Sequence, residues 1–153
     1  MYKYTIAILV TLVLFGKEGM GDETLPFITV DPKGFLGSVR DLAISDDGRW
    51  LAAAGSKEVR IWDLNNPADT PRAVLRGFQL QDGLILGRTN AVSFSPGNNP
   101  KYLAVGVSDN TELGSTRIYE MSDLSRFQLL KGHSACTDRV AFSNDGRVMG
   151  SYG

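Results

Sequence analysis

Short blocks of alternating apolar and polar residues run from Val39 to the end of the chain, and the blocks recur. Leu42, Ile44 and Ser45 are matched by Val92, Phe94 and Ser95, and then by Val140, Phe142 and Ser143, so successive units begin 50 and 48 positions apart. Period-two alternation of this length marks strands, and the units are read as strand and turn throughout, with no helical stretch. The first unit predicts strands at 40–45, 50–54, 59–63 and 72–75, with turns at Asp46-Asp47-Gly48 and at 55–58. The second predicts strands at 90–95, 102–107, 116–121 and 127–130, with a turn at Pro96-Gly97. The third predicts a strand at 138–143, a turn at Asn144-Asp145-Gly146 and a further strand from Val148. Trp50-Leu51-Ala52-Ala53-Ala54 does not alternate, so both its faces are expected to be covered, and its small side chains predict close approach of a neighbouring sheet. The strand at 72–75, preceded by Pro71, reads as a sheet edge. Because the third unit stops at Gly153, partway along an inner strand, the chain is expected to be part of a longer protein.

Upstream of the repeats, the apolar run from Thr5 to Phe15 follows Lys3, and polarity returns abruptly at GKEGMGDE. The run is shorter than the roughly 20 residues that a spanning helix needs, and it fits the apolar region of a secretory signal. Residues 1–21 are therefore read as a signal peptide cut after Gly21, with an anchor formed by residues 5–15 or a buried first strand as the alternatives. The expected localisation is exported, secreted or periplasmic. Gly16, Gly19 and Gly21 superficially suggest a dinucleotide-binding turn. The glycine order is wrong, however, Glu18, Asp22 and Glu23 would repel phosphate, and Pro26 stands where a helix is required. Residues 22–38 read as a leader in which Phe27, Ile28 and Val30 form a short strand.

Composition narrows the function classes. An apolar share of 42% with 22% charged residues is that of a globular chain of 153 residues. A formal charge of −1 supplies neither a basic stripe for nucleic acid nor a polybasic segment for a membrane surface. Cys136 stands alone, which excludes an intramolecular disulfide framework and a thiolate zinc cluster.

With these units in hand, two dipeptides identify a resemblance. Ile61-Trp62-Asp63 closes the first unit and Gly132-His133 precedes the third, and from Val39 to Gly153 the chain resembles a WD40-repeat protein. The resemblance implies an all-β fold: a partial WD40-like β-propeller of about two and a half four-stranded antiparallel blades, at 39–76, 89–131 and 137–153. The structural repeat positions it implies are Trp62, Asp63, Tyr119, Gly132, His133 and Ser151. Family members often join a His, a Ser or Thr, an Asp and the Trp through hydrogen bonds, and this chain departs from that set. Ala53 and Val105 replace the hydroxyl, the turn Ser56-Lys57-Glu58 is too short to supply the Asp, Gly77-Phe78 stands for Gly-His, and Tyr119-Glu120 stands for Trp-Asp. The third unit keeps His133 with Ser151. Apolar stacking is expected to carry more of the blade stability in consequence.

Candidate chemistry is sparse. His133 is the one histidine and reads as a hydrogen-bonding spacer at a blade junction, with no nucleophile or carboxylate placed to use it. Cys136, three residues on, reads as a half-buried thiol, because adjacency along a loop does not make a catalytic pair. Asp46-Asp47-Gly48 and Asn144-Asp145-Gly146 lack the later ligands of a calcium loop and read as hairpin turns. No catalytic residue, metal or cofactor is expected. Two long connections, 77–89 and 108–115, emerge on one face of the blades, and Leu84, Ile85, Arg88, Asp109 and Glu112 are the candidate partner-binding residues. The competing reading is that the leucines only cover the core rim. The expected function is a non-catalytic scaffold that binds a protein or peptide through loops on one ring face. The alternative is a fragment of an exported propeller enzyme, a hydrolase or oxidoreductase, or of a multidomain enzyme, with catalytic residues beyond the C-terminal end.

Overall fold

The computed structural model describes residues 38–66, 70–76, 78–79, 85–108 and 114–153. The expected signal segment and leader strand lie outside these residues. Twelve strands make up the described secondary structure, and no helix occurs among the described residues. The first sheet is a four-stranded antiparallel meander of β1 (Asp41–Ile44), β2 (Trp50–Ala54), β3 (Glu58–Asp63) and β4 (Ala73–Arg76). A two-stranded ribbon follows, formed by β5 (Phe78–Gln79) and β6 (Ile85–Leu86). The second meander comprises β7 (Arg88–Phe94), β8 (Tyr102–Ser108), β9 (Gly114–Glu120) and β10 (Asp123–Lys131). The hairpin β11 (Arg139–Phe142) and β12 (Met149–Tyr152) ends the chain.

Two of these features correct the hydropathy reading. The connection 77–89 is not a plain loop: it contains the β5–β6 ribbon, and β7 already begins at Arg88. The strands of the second sheet are also longer than the apolar runs suggest, with β9 starting at Gly114 and β10 extending back to Asp123. Ladder hydrogen bonds use the backbone and do not require apolar side chains, so polar ends stay paired. Register shifts between Thr89 and Ala91 and between Asp123 and Phe127 absorb the mismatch.

The core lies between the two meanders. Trp50, Ala52, Ala54, Val59, Ile61 and Leu75 of the first sheet pack with Val92, Phe94, Leu103, Val105, Val107 and Tyr119 of the second. Alternation puts Leu42 and Ile44, 43% and 45% exposed, on the other face of β1. The non-alternating strand β2 is covered on both faces: Ala52, Ala53 and Ala54 are all buried. A smaller cluster of Ala91, Ala104 and Val140 joins the second sheet to the final hairpin.

Glycine makes that second junction close. A Cβ on Gly114 would collide with the Ala135 carbonyl and lie 2.6 Å from Thr137 N, and one on Gly106 would lie 2.9 Å from Thr137 O. These obstacles are backbone atoms, which cannot step aside as a flexible side chain can.

Each hairpin turn between a first and second strand is built on one serine. Ser45 Oγ donates to Asp47 Oδ1 at 2.5 Å and accepts from Trp50 N at 2.9 Å, while Arg49 N donates to Asp47 at 3.0 Å. The third unit repeats this arrangement with Ser143, Asp145, Arg147 and Val148. In the second unit, Ser95 Oγ accepts from Lys101 N and Tyr102 N. Gly48, Gly97 and Gly146, with φ of 68°, 105° and 69°, supply the left-handed residue of each turn. The aspartates are thus occupied with their own turns.

Three outcomes follow for stability. Leu103→Ala, at a fully buried position, should cost about 2–5 kcal/mol in urea unfolding, whereas Leu130→Ala, 44% exposed, should cost well under half of that. Gly114→Ala should raise hydrogen-exchange rates in β11 and β12 while leaving β1–β4 protected. The hydroxyl of Ser45, then the Arg49 amide, lowers the Asp47 pKa, and Ser143 with the Arg147 amide does the same for Asp145. Carboxylates depressed in the folded state contribute stability above the ordinary value of about 3.9 and lose it as pH falls through the folded value. Asp47→Asn with Asp145→Asn should therefore flatten the acid limb of a thermal-midpoint-against-pH curve below about pH 4.

Candidate functional site

Hydrogen bonds between neighbouring sheets fix the two ends of the strands, and the candidate surfaces lie there. At the end carrying the β2–β3 turn, Thr89 Oγ1 lies 2.5 Å from Gly55 O and 3.0 Å from Glu58 O, so the start of β7 is tied to the first sheet. Thr89 is buried, and Arg88 immediately before it is exposed. In the same turn region, Arg60 Nε donates to Glu58 Oε1 at 2.8 Å, and both side chains are largely buried. Farther out, Arg117 Nη1 donates to the Arg76 carbonyl at 3.0 Å and lies 3.3 Å from the Tyr119 hydroxyl, with its guanidinium 5.0 Å from the Phe127 ring.

Of the five expected partner-binding residues, Leu84, Asp109 and Glu112 lie outside the described residues. Ile85 is in β6, opposite Gln79. Arg88 is a strand residue, not the loop residue expected: it opens β7 opposite Ser108 and is exposed. The structure thus places one of the five side chains and does not by itself bring the set together.

The repeat positions are distributed as follows. Trp62 is half-buried in β3, opposite Leu51. Asp63 ends that strand and receives Arg49 Nε at 3.3 Å and Nη2 at 2.9 Å. The Arg49 guanidinium holds the Asp63 pKa below the carboxylate range, and Asp63 in turn raises that of Arg49. Tyr119, where the Trp of the pattern would stand, is buried, its ring centre 5.2 Å from that of Phe127. Gly132 adopts φ of 152°, and His133 Nε2 sits 2.7 Å from Ser151 Oγ. Among the described residues no carboxylate holds the other ring nitrogen of His133, so the pair lacks the third member that would orient the imidazole for catalysis. The described residues contain no group of three or more His, Cys, Asp or Glu able to hold a metal ion.

At the opposite end of the strands the structure shows a feature that hydropathy did not indicate. A cleft of about 380 Å³ is lined by Trp50, Asn99, Pro100, Lys101, Tyr102, Glu120, Met121 and Ser122. Arg49 and Arg72 lie over the Trp50 ring, 4.7 and 5.9 Å from its centre. Asp46 Oδ2 accepts from Gly97 N at 2.9 Å and pins the neighbouring turn. The one hint in the sequence was the tryptophan directly after a turn arginine, since guanidinium groups favour indole faces.

Two comparisons bear on this architecture. The family model described as "WD domain, G-beta repeat" matches residues 31–63, a span that takes in β1 to β3 and ends on the Trp62-Asp63 pair. No match was found among curated proteins. The repeated four-stranded antiparallel sheets, with no helix among the described residues, are blades of the kind this repeat builds, and sheets and match together are consistent with a WD40-repeat family.

Proposed function

We propose that the chain acts as a non-catalytic scaffold, binding a protein or peptide partner through the connections at the blade end that carries Arg88. WD40 domains generally bind proteins and are generally non-catalytic. The observation that supports this surface is the pairing of an exposed cation with a locked neighbour. Arg88 is exposed, while Thr89 is buried and tied to the Gly55 and Glu58 carbonyls of the adjacent blade. A side chain mounted on such an anchor loses little backbone entropy when it meets a partner.

In this reading Leu84 and Ile85 supply apolar contact, and Asp109 and Glu112 supply charge opposite in sign to Arg88. The mechanism is complementarity of shape and charge between this rim and the partner. Export directed by the apolar run from Thr5 to Phe15 completes the proposal.

The test is Arg88→Glu combined with Glu112→Lys, measured against a partner retained by the unmodified chain. Binding should weaken by about tenfold or more, equivalent to about 1.4 kcal/mol, with the thermal midpoint unchanged. Unchanged affinity removes this surface from the proposal.

A further inference from the structure

We draw no further inference here: the strongest candidate, the outward face of the first sheet on which Leu42 and Ile44 of β1 stand 43% and 45% exposed, is an unpartnered apolar surface, and nothing in the structure shows what covers it.

Discussion

The close approach of two sheets is the constraint from which the rest of the architecture follows. Ala52 and Ala54, with no accessible surface, let the first sheet lie near enough for Val59 and Ile61 to meet Val92, Leu103, Val105 and Val107. Twelve buried residues share that one interface. A buried Val, Leu or Ile side chain contributes about 1.5–3 kcal/mol, and a single hydrogen bond about 1 kcal/mol net, so apolar stacking dominates whatever the polar groups add. Neither sheet could bury its row alone.

Polar groups have a different task, which is to fix the angle and register at which the sheets meet. Asp41 Oδ2 accepts from Val92 N, Thr89 Oγ1 reaches the Gly55 and Glu58 carbonyls, and Arg117 reaches the Arg76 carbonyl. Each bond joins a side chain of one blade to the backbone of the next. Non-directional packing would tolerate a sliding sheet, but a displaced sheet would leave these buried groups unpaired at a cost of about 1–3 kcal/mol each. Energy thus comes from the apolar rows, and uniqueness from the polar links.

This division explains what could be read from the sequence. Short apolar or alternating runs between turn residues mark the eight strands of the two meanders, and the non-alternating run Trp50 to Ala54 announces a strand covered on both faces, because burial is written in residue type. The ribbon within 77–89 and the backward extension of β10 were not legible, since backbone pairing leaves little mark on composition. Arg88 reads as a loop residue for the same reason: a charged residue next to Thr89 and Asn90 carries no strand signal. The cleft beside Trp50 leaves no mark in the sequence beyond the Arg49-Trp50 pair, because its walls come from separate turns, joined only when the two blades pack.

The second blade departs from the hydrogen-bonded set that the resemblance to WD40 repeats implies. Val105 is buried where a hydroxyl would stand, and Tyr119 takes the place of the tryptophan. A polar set there would have no partner, so the position is filled by apolar contact and by the stack of Arg117, Phe127 and Tyr119. That stack is on the face toward the first blade, and the guanidinium at its centre also reaches the Arg76 carbonyl. The substitution therefore moves a stabilising contact from inside one blade to the seam between two. In the final hairpin, where His133 meets Ser151 at 2.7 Å, the polar contact stays within its own unit. The seam between the first two blades is accordingly bound along its outer strands as well as its inner ones, which keeps the surfaces at either end of that seam in fixed relation to each other.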